Sequence, residues 1–264
     1  MKIVGILNAT PDSFYDHGKW FGNTKVTVEH GLRLFAEGAD IVEVGGESVR
    51  PGAQAVPADM QIERVCSVIK ELSGHGIIGI DTRSPVAARA ALECGASFIN
   101  EVGCNLYPVA AEAKVGYVAT HIQGEPATMQ VNPSYDDVVA EVTAQLLSVA
   151  THARAAGVPE LWIDPGIGMG KRPEHNFALL KALPDLVSTG VPVLLAVSRK
   201  IIIGQLSGQP DVARRLAGSL AAVGYAEDAG VDIIRVHDVR ETAEFLRLRS
   251  GLRKAALDIS ALTF

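Results

Sequence analysis

Eight times along the chain a short apolar run is followed by a polar turn and a segment with helical patterning, and this recurrence constrains the fold more than any other feature. The runs are Ile3–Leu7, Ile41–Val44, Ile77–Ile80, Phe98–Ile99, Gly116–Thr120, Leu161–Ile163, Val193–Val197 and Ile233–Val236. They are apolar at successive positions, so both faces need cover, as in parallel strands flanked by helices. Between them Val26–Glu37, Ala58–Leu72, Ser84–Glu93 and Tyr135–Ala156 repeat their apolar residues at helical spacing. Gly38, Gly95, Gly157 and Gly230 stand where helices end, and Pro85 and Pro173 where a first turn tolerates proline. The fourth helix, near Pro108–Ala113, is short. The alternation has no composition break, which predicts one domain over residues 1–264, with a less defined tail after Gly251. Eight βα units predict a single (β/α)8 TIM barrel, in the α/β class. An open doubly wound sheet is the alternative, but no GxGxxG follows the first strand.

Composition narrows the function. With 48% hydrophobic and 20% charged residues the chain is an ordinary globular one, not a disordered or disulfide-stapled one. Lys and Arg number 24 against 30 Asp and Glu, a formal charge of -6 that argues against nucleic acid as a partner. A few cations in one pocket can still hold an anionic substrate. Cys66, Cys94 and Cys104 are far apart with no CxxC, which points to a reduced, cytoplasmic setting. No apolar run approaches the roughly 18 residues of a membrane span, and Ile3–Leu7 is too short for a signal-peptide core.

Nearly every strand ends in polar residues: Asn8, Glu43 with Glu47, Asp81, Asn100, His121, Asp164, Ser198-Arg199-Lys200, and Arg235 with His237. A barrel brings these ends together on one rim, so the pattern favours an enzyme. Asp81, Asn100 and Asp164 would face one mouth and need donors, which Lys200 and a flat heterocycle rich in N–H groups can supply. A purely structural Asp–Lys bridge is the competing reading. Arg235 and His237 share a strand face, and Asp238 is expected to cap the helix that follows. Arginine and histidine beside a helix start form an anion site, to which Arg50 could add a second-loop cation. Asp164-Pro165-Gly166-Ile167-Gly168-Met169-Gly170-Lys171 lets backbone approach a ligand but lacks P-loop spacing. The first strand has no HxH pair, so a zinc hydrolase is disfavoured. One oxygen of Asn8 together with substrate phosphates could hold Mg2+. His17, His30, His75, His152 and His175 are expected at the surface.

At this point the chain resembles the dihydropteroate synthase family of the pterin-binding barrels. The resemblance rests on Gly5 through Phe14, Gly45 through Gly52, Ile80-Asp81-Thr82, Ile99 through Val102, His121 through Gly124, Asp164 through Lys171, Ser198-Arg199-Lys200 and Arg235 through Val239. It implies condensation of 6-hydroxymethyl-7,8-dihydropterin diphosphate with p-aminobenzoate, by a Mg2+-assisted homodimer. Position by position, it implies Asp81, Asn100, Asp164 and Lys200 around the pterin and Asn8 at the metal. Arg50, Arg235 and His237, with Asn8, would hold diphosphate, and Asp81, Asp164, Lys200, Arg235 and His237 would carry the chemistry. Phe14, Pro51, Met169, Ser198 and Ile201 would enclose the aminobenzoate. Val49 and Ile201 stand where the family usually has hydroxyl residues, and Met169 where an aromatic ring is frequent. Altered aminobenzoate recognition and weakened sulfonamide binding are therefore expected. A pterin-binding paralogue without synthase activity and a methyltetrahydrofolate-binding methyltransferase domain stay open as alternatives, and a Schiff-base aldolase using Lys200 as a more distant one.

Overall fold

The structure, a computed structural model, describes residues 1–11 and 18–254. Its eight strands are β1 (Lys2–Asn8), β2 (Ile41–Gly45), β3 (Ile77–Asp81), β4 (Phe98–Val102), β5 (Gly116–Thr120), β6 (Leu161–Asp164), β7 (Leu194–Leu195) and β8 (Ile233–Val236). They form one parallel sheet in the order β6-β5-β4-β3-β2-β1-β8-β7. The two ends of that order meet through a parallel bridge between Ile163 and Val193, so the sheet curls into the expected barrel. Strand β7 is shorter than predicted. The Val193 amide donates to Asp232 Oδ2 (2.8 Å), and four residues beyond β7 Arg199 turns the chain with φ 55°.

The flanking helices begin and end on local chemistry. Helix α1 (Thr24–Glu37) is capped by Asn23 and closed by left-handed Gly38. Helix α2 (Ala58–Leu72) follows β2. Ser84 caps α3 (Pro85–Glu93), whose proline opens the first turn, and α4 (Tyr107–Ala113) is as short as its sequence suggests. Asp137 caps α5 (Val138–Ala156), which starts later than Tyr135 because its amides at Val139 and Ala140 need that carboxylate. Two helices, α6 (Pro173–Lys181) and α7 (Leu183–Ser188), precede β7. Two more, α8 (Ile201–Ser207) and α9 (Leu216–Asp228), separate β7 from β8, and α10 (Val239–Arg253) closes the series. The sequence pattern does not show this subdivision of the late units. Among the described residues no helix is long and apolar enough to cross a membrane.

Inside the barrel, strand periodicity stacks side chains in layers. Below the polar residues lies an apolar cluster of Val4, Ile41, Phe98, Val118, Trp162, Leu194, Ala196 and Ile233, separate from the helix-facing core. The Phe98 and Trp162 rings lie 5.6 Å apart and fill space that glycines leave. A Cβ on Gly116 would lie 2.9 Å from Phe98 Cδ2 and 3.3 Å from Trp162 Cζ3. Lys2 Nζ sits 5.8 Å from the Trp162 ring centre. Two residues further along the strands come Glu43 after Ile41, Asn100 after Phe98, Asp164 after Trp162 and Arg235 after Ile233. Alternation alone therefore lays a polar layer on an apolar floor.

Candidate active site

A cavity of about 360 Å³ opens above the polar layer, at the C-terminal ends of the strands. Asn8, Arg50, Pro51, Asp81, Asn100, Asp164, Met169, Lys200, Ile201, Arg235 and His237 all line it. Sequence positions from 8 to 237 are thus collected around one mouth. Phe14 lies outside the described residues. Ser198 does not line the cavity; it is buried, its Oγ accepting from the His237 amide (3.2 Å) and bonding His237 Nδ1 (3.1 Å). Its place is therefore behind the imidazole of His237.

The deepest part is an ion cluster that the strand-end pattern only half reveals. Arg235 Nε donates to Glu43 Oε1 (2.5 Å) and Nη2 to Asp81 Oδ2 (2.7 Å). Asn100 Nδ2 donates to Glu43 Oε2 (2.8 Å), and Thr120 Oγ1 to Asn100 Oδ1 (3.3 Å). Glu43 is fully buried and touches two of the proposed ligand-binding groups, yet only its strand-end position marks it in the sequence. The available signal is a carboxylate inside the otherwise apolar run Ile41–Gly45.

Burial sets the protonation of these groups. It raises the Asp81 carboxyl to about 7, with Arg235 opposing and Glu43 and Glu47 reinforcing the rise. Burial likewise raises Asp164, against Lys200 and the Gly166 amide, which donates to Asp164 Oδ1 at 2.7 Å. Lys200 is lowered to about 8 by burial, with Asp164 holding its charge, and its Nζ donates to the Ile167 carbonyl (2.7 Å). Arg235 stays charged because Glu43 and Asp81 outweigh its burial. His237 is the correction. Burial, then Arg235, Arg199 and Lys200, lowers it to about 3, so it offers a neutral hydrogen-bonding ring and not the second cation expected.

The glycine-rich turn after β6 is fastened from below. Lys171 Nζ contacts His121 Nδ1 (2.8 Å) and the carbonyls of Gly166 and Met169 (both 3.0 Å). Gly166 has φ 65°, and a Cβ there would lie 1.8 Å from the His121 carbonyl oxygen. Only glycine lets the turn press against β5's end and present the Ile167 carbonyl to Lys200.

Two further expectations change. Asp238 makes no side-chain cap for α10; its carboxylate takes Arg199 Nε and Nη2, both at 2.7 Å. A bidentate buried guanidinium outcompetes a helix amide for that acceptor. His30 is not a surface group: it stacks on Trp20 at 3.9 Å, and burial with Arg33 and Lys19 nearby lowers it to about 4. His175 is also partly covered, edge-on to Tyr135 at 5.0 Å, while His75 and His152 are exposed and His17 lies outside the described residues. Among the described residues no group of three or more His, Cys, Asp or Glu converges as a metal site. Asn8 brings an amide oxygen, one of several oxygen donors of the kind that suits a hard cation, to the cavity wall.

A parallel barrel whose strand ends gather buried acids, an amide and cations around one mouth defines an enzyme that binds a small polar ligand. The model of the pterin binding enzyme family matches residues 4–237. A dihydropteroate synthase of Neisseria meningitidis serogroup C is 42% identical over 261 residues, covering 95% of this chain and 92% of that protein. The Yersinia pestis dihydropteroate synthase in a sulfonamide drug complex superposes with a TM-score of 0.90 at 34% identity, over 96% of this chain and 94% of that one. The Thermus thermophilus enzyme in complex with 4-aminobenzoate gives 0.85 at 40% identity, over 95% and 94%. The chain belongs to the pterin-binding enzymes and, among them, to the dihydropteroate synthase family.

Proposed function

We propose that the chain condenses 6-hydroxymethyl-7,8-dihydropterin diphosphate with p-aminobenzoate, forming 7,8-dihydropteroate and releasing diphosphate. The observation that carries this reading is the polar layer: Asp81, Asn100 and Asp164 line one cavity with Lys200 and Arg235 between them. A pterin is a flat ring with adjacent N–H donors, and these acceptors match it where an ion pair alone would leave them unsatisfied. Both carboxyls gain when such donors arrive, because burial otherwise works against their charge.

The demanding step is cleavage of the carbon–oxygen bond, which places positive charge on the pterin methylene and negative charge on diphosphate. Asp81 and Asp164 face the developing cation. With Arg235 Nε and Nη2 engaged by carboxylates, its Nη1 is the nitrogen left for the leaving anion, beside the neutral His237 ring and Arg50. Asn8 would hold Mg2+, which when bound neutralises charge on the departing diphosphate. The aminobenzoate nitrogen then attacks the exposed methylene, positioned in the outer cavity by Pro51, Met169 and Ile201. No protein nucleophile is needed.

Val49, Met169 and Ile201 all line this cavity, which supports altered handling of aminobenzoate and of sulfonamides. The reading includes a homodimer, as the family resemblance implies, in the reduced cytoplasmic setting to which the three separated cysteines point. Diphosphate release and dihydropteroate formation, followed with and without p-aminobenzoate, test it. Dihydropteroate formation that needs both substrates is expected. Pterin binding without any condensation would leave a silent paralogue instead.

A further inference from the structure

The chain segments that leave β7 and β8 are stitched together behind the cavity. The two strands pair at Leu194–Ile233 and Leu195–Ile234, and the contact continues past their ends. Ser198 Oγ meets the amide and the ring of His237, and one residue further on Arg199 meets Asp238. Arg199 Nε and Nη2 donate to the two carboxylate oxygens of Asp238, both at 2.7 Å, and the two side chains are only 6% and 10% exposed. Arg199 Nη1 donates to the carbonyls of Val212 (3.0 Å) and Ala213 (2.8 Å), and the Arg199 amide to Ser219 Oγ (2.9 Å). The Arg199 carbonyl accepts from Nη1 of Arg215 (3.0 Å), a cavity-lining residue that no motif marks.

Arg199 also carries backbone strain. Its φ of 55° lies in the left-handed region, where glycine is the default residue. The Lys200 amide donates to the Val197 carbonyl (3.1 Å) and closes the turn. A long side chain keeps that conformation only where its surroundings determine it. Here the determinant is the guanidinium fork on Asp238, a bidentate pair with little freedom of angle. The turn delivers Lys200, and His237 immediately precedes Asp238; both line the cavity. Arg199 and Asp238 do not line it, so they can reach a ligand only through these neighbours.

We infer that Arg199 and Asp238 are positioning residues: their pairing fixes Lys200 and the His237 ring at one separation, so that the two ends of a single pterin diphosphate are gripped together. The inference rests on the proposed synthase reading, which puts Lys200 at the pterin and His237 at the diphosphate. It leaves bond cleavage to the inner cluster.

The test is calorimetric titration of the full chain with 6-hydroxymethyl-7,8-dihydropterin and with its diphosphate ester, below the melting range of each variant. Arg199→Lys keeps the charge and removes the fork; Asp238→Asn keeps the shape and removes the charge. Each is expected to weaken the bare pterin by about tenfold and the ester by about 100-fold, because the ester loses its hold at both ends. The double variant is expected to fall no more than about threefold below the weaker single, since one contact is broken in all three. If the pair only holds the fold together, melting temperatures drop while both affinities stay, which overturns the inference and leaves the synthase reading standing. Equal losses for the two ligands, or no loss for the bare pterin, show that the pair sets only one of the two groups and also overturn it. Wild-type chain that bound neither ligand would remove the synthase reading itself.

Discussion

Replacing Glu43 by Gln removes one charge from the buried cluster while keeping its shape. The amide oxygen can still accept from Asn100 Nδ2, which now lies 2.8 Å from Glu43 Oε2. Arg235 loses a charged acceptor but keeps Asp81 at 2.7 Å. Stranding a buried charge completely costs about 3–5 kcal/mol; losing one of two charge-assisted contacts costs about 1.5–3 kcal/mol. For a chain of this size that lowers Tm by roughly 3–12 °C. The same change acts on Asp81 with a definite sign. Burial is the main reason its carboxyl lies near 7, and the Glu43 charge adds to it. Without Glu43 that contribution vanishes and Arg235 serves Asp81 alone, so the Asp81 value drops. In the proposed function ionised Asp81 is the acceptor for the pterin, so wild-type affinity is expected to weaken as pH falls through about 7. In Glu43→Gln this acid limb moves to lower pH, even though the protein is less stable. Calorimetric titration of a pterin on both sides of that pH, together with thermal melts, measures both effects. An acid limb that stays in place or moves to higher pH refutes the reasoning.

Three further outcomes follow from the same geometry. Gly166→Ala puts a methyl 1.8 Å from the His121 carbonyl at φ 65°; melting should show a loss of roughly 3 kcal/mol or more, and pterin affinity should fall because the Ile167 carbonyl moves off Lys200. His237 lies near 3 when folded against an ordinary 6.5, so its contribution to stability is full above 6.5 and is lost as pH falls toward 3. His237→Gln should flatten that part of the melting-temperature profile, leaving the parts due to His121 and His30; an unchanged slope would show the ring is not held neutral. Restoring both hydroxyls in a Val49→Thr/Ile201→Ser variant should tighten sulfonamide inhibition by about tenfold, at about 0.5–1.5 kcal/mol per hydrogen bond. Equal inhibition constants for the variant and wild type reject that role.

The barrel is legible in the sequence because its evidence is local. The run Leu161-Trp162-Ile163, ending in Asp164, shows both a doubly covered strand and a polar rim residue within four positions. Rim residues need only the strand ends, and eleven positions from Asn8 to His237 do meet at one cavity. What the sequence hides is choice of partner. Arg235 pairs with Glu43 and Asp81 from 192 and 154 residues away, which depends on barrel closure and layer height. Asp238 reads as a helix cap because that competitor is adjacent, whereas Arg199 lies 39 residues back. His237 reads as a cation because its number of positive neighbours is a property of the fold. Arg215 escapes notice because its sequence neighbours form a polar loop, and only its reach across that loop brings it to the mouth.

Among the described residues, the aromatic floor built by Phe98 and Trp162 fills the base of the barrel beneath the polar layer. On the proposed function, a pterin that settles against Asp81 and Asp164 would enter past the outer cavity lined by Pro51, Met169 and Ile201, where its co-substrate is proposed to sit. Traffic is then last in, first out, and an early-arriving aminobenzoate would bar the pterin's way. The ring packing at the base, far from any reacting atom, would thereby set the sequence in which the two proposed substrates are taken up.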